Sequence, residues 1–233
     1  MKKKDKPQLI FPGFALIFAL VASLYFLWAM PSTLNDVLIK QFMKSMEVSL
    51  TQTGFVLFMY KIGYFCLALP AGIYMQRRGY KSGILLGLSI FAIGCFLFYP
   101  AAATRQYLFF LGAIFVIGAG LSFTEIGASG YILNLGDKSF SERRMNLAQS
   151  FNPIGSIIGV TAGTLFILSG NEPNTEQISA MKVAGTYEPF LQEEALRVFP
   201  PYIIIGIIVL IIAFLIWRAK FPEIEGESEN EKG

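Results

Sequence analysis

The chain has 233 residues, is 54% hydrophobic with a mean hydropathy of +0.55, and carries only 15% charged residues, against roughly 25% in soluble domains. A soluble fold of this size cannot hide so much apolar surface, so the chain reads as an all-α integral membrane protein crossed by long apolar helices. A net charge of +3 and the absence of His leave any proton chemistry to carboxylates, and Cys66 and Cys95 fall inside apolar runs, where two structural thiols are expected rather than a disulfide or metal site.

Residues 1–13 form a basic N-terminal flank that starts MKKKDK. The apolar run after it is too long for a signal-peptide core and lacks a small-x-small cleavage site. It reads as span 1, about 14–39. Pro31 is expected to interrupt this span, with Ser32-Thr33-Leu34-Asn35-Asp36 beyond the break, the pattern of discontinuous helices at transporter sites. Span 2, about 52–75, contains Lys61 and should kink at Pro70 and Gly72. A short basic loop, Gln76 to Lys81, leads to the glycine-dotted span 3, about 82–103. Span 4 covers 107–135 and ends at a polar loop, Gly136 to Arg144. Span 5, about 145–169, opens unusually polar and places Gly155, Gly159 and Gly163 at four-residue spacing, a face for close helix packing. The segment 170–198 is the one long polar loop, with a surface helix expected from Pro189 to Val198. Span 6, about 199–217, is nearly pure Ile, Leu and Val, and 221–233 is an acidic, hydrophilic linker. The six spans together make a bundle over 14–220.

Lys and Arg distribution sets the expected orientation. With the N-terminus inside, the inner flanks hold 12 such residues, from Lys2, Lys3, Lys4 and Lys6 through Arg143, Arg144, Arg218 and Lys220, and the outer flanks hold 5 (Lys40, Lys44, Arg105, Lys182 and Arg197). Both termini are expected in the cytoplasm and the loop 170–198 in the periplasm.

The stretch Gly118 to Gly130, GAGLSFTEIGASG, places a carboxylate, Glu125, among small residues in the middle of span 4. An ionisable group at that depth usually lines a cavity and carries function. At a rise of about 1.5 Å per residue, Glu125 and Asn152 lie at a similar level, roughly 7 Å to the cytoplasmic side of the middle. Lys61 lies near the middle and Asp36 toward the outer face. These four residues line one pathway if their helices pack around it. Plainer roles stay open: Asp36 as a helix-end cap, Lys61 snorkelling to the surface, and Asn152 serving backbone groups disrupted by Pro153.

Several stretches carry a resemblance in collinear order: Tyr25-Phe26-Leu27-Trp28-Ala29, Leu34-Asn35-Asp36, Gly63-Tyr64-Phe65, Pro70-Ala71-Gly72, Thr124-Glu125, Asn146-Leu147-Ala148-Gln149, Phe151-Asn152 and Lys220-Phe221-Pro222. The chain resembles the N-terminal half of the L-fucose:proton symporters of the major facilitator superfamily. The resemblance implies one six-helix half of that fold and symport of a sugar with a cation. It implies substrate contacts from Glu125, Asn152, Gln149, Asn35 and Trp28, with Tyr25 and Phe26 available to pack on the sugar ring. It implies proton coupling at Asp36 and Glu125. The superfamily's loop motif between spans 2 and 3 is met by Gly72, Arg77, Gly79 and Lys81, while Gln76 stands where an acid is usual. Lys61 replaces an uncharged aromatic of the fucose permease. A cation there would favour ionised carboxylates, which opens sodium-driven or uncoupled transport beside proton coupling.

The expectation is therefore half of a secondary active transporter for a neutral hexose or 6-deoxyhexose, working by alternating access in a bacterial inner membrane. Its partners would be the sugar, the bilayer and a missing C-terminal six-helix half, with no nucleic acid and no cofactor beyond the coupling cation. Alone it would be incompetent for transport, as a piece of a longer chain, a truncated product or a half that pairs with another chain. The rival is a non-transporting membrane scaffold whose buried charges only fix helix packing. Enzyme chemistry is not expected, because no His, metal-ligand cluster or G-x-S-x-G elbow is present in the sequence.

Overall fold

A computed structural model describes residues 9–168 and 173–221. The basic flank through Gln8, four residues (169–172) at the start of the long loop, and the acidic tail from Pro222 lie outside the described residues. Among the described residues all regular structure is helical. The helices are α1 (Ala15–Ser45), α2 (Leu50–Arg78), α3 (Tyr80–Thr104), α4 (Tyr107–Asn134), α5 (Ser141–Gln149), α6 (Asn152–Ala162), α7 (Thr175–Val183), α8 (Tyr187–Leu196) and α9 (Phe199–Arg218). Six stretches are long and apolar enough to cross a membrane: α1, α2, α3, α4, the α5–α6 pair, and α8 running into α9.

Local chemistry sets the helix ends. Ser49 opens α2 with a capping box, its hydroxyl accepting from the Gln52 N–H while the Gln52 side chain accepts from the Ser49 N–H. A single residue, Gly79, separates α2 from α3, and its φ of 80° is a left-handed conformation that favours glycine. Arg105 (φ 47°) closes α3 before Gln106 extends into α4.

Three sequence expectations change. Pro31 does not interrupt α1, which continues to Ser45. The hydroxyls that follow the proline bond back to carbonyls of the preceding turn: Ser32 Oγ donates to Trp28 O, and Thr33 Oγ1 donates to the Ala29 and Met30 carbonyls. Span 5 is broken instead. Ser150 and Phe151 form a turn ahead of Pro153, which has no N–H to offer back to Gln149, and Gly163–Ile167 is a π-turn. The long loop holds two surface helices rather than one, because Asn174 and Gln177 form a capping box that starts α7.

α4 is the central helix, packed against both α2 and α3. Close approach is made possible by glycines, as expected where van der Waals packing drives association in lipid. A Cβ on Gly118 would run into the Tyr60 carbonyl of α2, and one on Gly63 would run into the Phe115 carbonyl of α4. The four-residue glycine face of span 5 packs as the spacing predicts: Gly155 meets Phe26 and Ala29, Gly159 meets Met30 and Thr33, and Gly163 meets Leu34 and Val37, all on α1. α9 joins α3 through Phe98 and Tyr202, whose rings stack 3.8 Å apart at 7°.

Two buried charges complete the frame. Arg144 is fully buried at the α4–α5 turn and donates to the carbonyls of Ile132, Leu133, Gly136 and Asp137, and to Leu9 ahead of α1. At the opposite end of α1, Glu194 of α8 is buried against Gln41 (2.9 Å), Lys44 (3.1 Å) and Arg197 (3.6 Å).

Candidate functional site

Glu125 is half-buried on the α4 face that meets α1 and α2. It borders a narrow recess of about 10 Å³ between α1 and α4, lined by Leu24, Tyr25, Trp28, Thr124, Glu125 and Ala128. Gly120, Ser122, Thr124 and Gly127 are buried around it, so the small residues of this stretch hold α4 tightly between its neighbours.

Three phenols converge here. Tyr64 Oη donates to Glu125 Oε2 at 2.9 Å. Tyr25 Oη bonds Ser129 Oγ at 2.7 Å, one turn past Glu125, and reaches Met145 Sδ at 3.3 Å. Tyr60 Oη bonds Ser32 Oγ at 2.9 Å, across to α1. The exposed wall of the recess is apolar, with the Tyr25 and Trp28 rings on the α1 side, and the hydroxyls of Tyr64, Ser129 and Ser32 lie around Glu125 beside it. The Trp28 indole N–H is buried beside the recess with no hydrogen-bond partner among the described residues, and so is the Asn35 amide nitrogen. A buried donor left without an acceptor is costly in a finished site.

The structure brings Glu125, Trp28 and Tyr25 to one recess, buries Asn35 away from it, and leaves Asp36, Lys61 and Gln149 exposed on the bundle. Asp36 is exposed on α1. Lys61 is exposed on α2, with Nζ 5.5 Å from the Tyr60 ring centroid. Among the described residues neither Asp36 nor Lys61 forms an ion pair, so the expected reach from Lys61 to a carboxylate is not made within contact distance. Gln149 is exposed at the end of α5, and Asn152 is half-buried at the start of α6; neither lines the recess. The loop expected over Gln76 to Lys81 is helical apart from Gly79: Arg77 is exposed in the last turn of α2, and Lys81, in the first turn of α3, donates to the Trp217 and Ala219 carbonyls at the end of α9. Residue spacing did not single out Tyr64, Ser129 or Ser32, which the fold brings to the site. The signal for them was weak: a hydroxyl one helical turn from each residue that was chosen.

Six apolar spans thus pack around a central glycine-lined helix that carries the carboxylate of Glu125 beside an interhelical recess. Residues 10–233 match the Major Facilitator Superfamily. The chain belongs to that superfamily. Its members are transporters, not enzymes, and the six spans here form one half of the superfamily fold. The chain is 37% identical over 219 residues to the L-fucose-proton symporter of Escherichia coli, covering 94% of this chain and 50% of that protein. It is 32% identical over 213 residues to the glucose/galactose transporter of Brucella abortus, covering 91% of this chain and 48% of that one. The crystal structure of the Escherichia coli fucose:proton symporter superposes with a TM-score of 0.76 at 38% identity, covering 91% of this chain and 50% of that one. The same transporter in its outward conformation gives a TM-score of 0.77. The chain spans about half the length of the curated relatives it matches.

Proposed function

We propose that this chain supplies the N-terminal half of a proton-coupled sugar symporter for a neutral hexose or 6-deoxyhexose. The observation that carries the reading is Glu125, a half-buried carboxylate that faces a recess shared with the unpartnered N–H of Trp28. A carboxylate accepts hydrogen bonds from sugar hydroxyls, an indole N–H donates one, and the indole face covers the ring. Relatives of both the fucose and the glucose/galactose kind support a sugar as substrate. The relatives named as proton symporters favour a proton over sodium as the coupling ion. Asp36 and Glu125 are the protonation candidates.

The recess, about 10 Å³, is far smaller than the roughly 300–1,000 Å³ of typical ligand sites. A second six-helix half would close it, and the exposed Asp36, Lys61, Gln149 and the half-buried Asn152 would face that half across the translocation pathway. Alternating access then consists of the two halves rocking about one site, and this half alone does not transport. The Lys and Arg distribution supports both termini on the cytoplasmic side of a bacterial inner membrane. A scaffold role is less well supported, because a scaffold charge should be paired as Glu194 is, and Glu125 has no ion pair among the described residues.

The test is sugar binding followed by tryptophan fluorescence in a Trp217→Phe background, which leaves Trp28 as the reporter. It is run with L-fucose, D-glucose and D-galactose, on the chain alone and together with a matching C-terminal half. A saturable change with one of these sugars when both halves are present is expected. No response to any of the three in either sample would overturn the reading.

A further inference from the structure

The hydrogen bond between Tyr64 and Glu125 is set up by the helix packing around it. At the α2–α4 crossing, Gly63 faces the Phe115 carbonyl and Gly118 faces the Tyr60 carbonyl and the Tyr64 N–H; a Cβ on Gly118 would stand 3.2 Å from the Tyr64 nitrogen. Gly118 and Glu125 are seven residues apart, two turns along one helix face and roughly 10 Å of rise. With backbones this close, the long Tyr64 side chain reaches from the crossing to the carboxylate. With the wider spacing that larger residues impose, it falls short.

Tyr64 is also the only hydrogen-bond partner of the Glu125 side chain among the described residues. The other groups that face this carboxylate do not bond to it. On α1, Tyr25 is engaged by Ser129 and Met145. On α2, Tyr60 is engaged by Ser32, and Lys61, whose charge acts on Glu125, makes no ion pair with it. An ionised carboxylate has two oxygens and about four acceptor positions. Tyr64 occupies Oε2, and Oε1 has no partner among the described residues.

We propose that Tyr64 is a positioning residue for Glu125: its hydroxyl anchors Oε2 and presents Oε1 to the recess as the acceptor for a ligand hydroxyl. This rests on reading the recess as the sugar site. Phe at position 64 keeps the ring and its packing and removes only the anchor, so the carboxyl group turns freely and ligand binding loses its orientation.

Infrared spectroscopy of the purified chain in lipid, without sugar, tests the anchor alone. Loss of a band in Glu125→Gln identifies the Glu125 carboxyl stretch, and isotope-labelled glutamate assigns it if that variant does not fold. The expected result is that Tyr64→Phe moves the protonated Glu125 C=O stretch to higher frequency, as for a carboxyl group freed of a donor, while the far-ultraviolet circular dichroism is unchanged. An identical band in parent and Tyr64→Phe would overturn the proposal. A second arm measures sugar affinity with both halves present, where Tyr64→Phe should weaken binding about tenfold, the equivalent of one oriented hydrogen bond. Sugar binding with an unmoved band sinks the anchor and leaves the transport reading standing. A moved band with no sugar binding by the parent sustains the anchor and sinks that reading.

Discussion

Replacing Arg144 by Met should destabilise the chain more than any other single change to a charged residue. The guanidinium is fully buried and its donors reach five carbonyls at 2.6–3.4 Å: Ile132, Leu133, Gly136, Asp137 and Leu9. Four of the five cap the end of α4 and the turn after it, and Leu9 ties the segment before α1 to the same point. Hydrogen bonds to a charged donor contribute about 1.5–3 kcal/mol each when lost singly. The carbonyls at this helix end regain water in part, so about 1 kcal/mol for each of the four shorter bonds gives about 4 kcal/mol in total. For a chain of this size that corresponds to a fall in the unfolding midpoint of roughly 10 °C. The two cysteines provide the assay, since Cys66 is exposed and Cys95 is buried in the core between α3 and its neighbours. In a Cys66→Ser background, a thiol-reactive dye reports the exposure of Cys95 on heating. Arg144→Met should unfold roughly 10 °C below the parent. Arg144→Lys should recover less than half of the loss, because an ammonium lacks the planar fork that spans these carbonyls. A Met variant that unfolds within about 2 °C of the parent would refute the staple, since roughly 1 kcal/mol or less would then be at stake.

Three further perturbations follow from the same structure. Gly118→Val forces α4 away from the Tyr60 carbonyl and the Tyr64 N–H. It should cost about 1–3 kcal/mol as overpacking in the same dye assay and also shift the Glu125 infrared band, whereas Gly112→Ala, where a Cβ meets open space, should do neither. Glu194→Gln removes the charge that Lys44 and Arg197 share beneath α8. Both cations keep some access to water, so the expected loss is nearer 2 kcal/mol than the roughly 3–5 of a fully buried pair; faster tryptic cleavage at Arg197 reads the loosened helix, and an unchanged cleavage rate would count against the cluster. Lys81→Met frees the Trp217 and Ala219 carbonyls at the end of α9. This partly exposed cap should be worth only about 0.5–1 kcal/mol, visible as increased quenching of Trp217 fluorescence by iodide in a Trp28→Phe background.

The membrane class, the six spans, the central carboxylate at Glu125 and the glycine face of span 5 were legible in the sequence, because each rests on local facts. Apolar runs of bilayer length must be helices, a carboxylate cannot leave mid-membrane along a flexible stem, and glycines one turn apart share a face whatever they pack against. Two misreadings came from local rules as well. Pro31 looked like a break because proline removes a backbone donor, but α1 continues through it, and the Ser32 and Thr33 hydroxyls bond back to carbonyls of the preceding turn. Pro153 does fall at a break, just after the turn at Ser150 and Phe151 that separates α5 from α6.

Partnership between distant residues was decided by the tertiary structure alone. Nothing in the spacing joins Tyr64 to Glu125, 61 positions away, or Glu194 to Gln41, 153 positions away. Arg144 and Arg143 are indistinguishable as adjacent basic residues in a polar loop, yet one is buried on five carbonyls and the other is exposed over the Phe140 ring. The physical reason is that sequence fixes what each residue requires, an acceptor, a donor or room for a backbone, while helix crossing angle and rotation decide which neighbour meets the requirement. Close approach at Gly63 and Gly118 sets that rotation for α2 and α4, and with it the direction in which Glu125 faces.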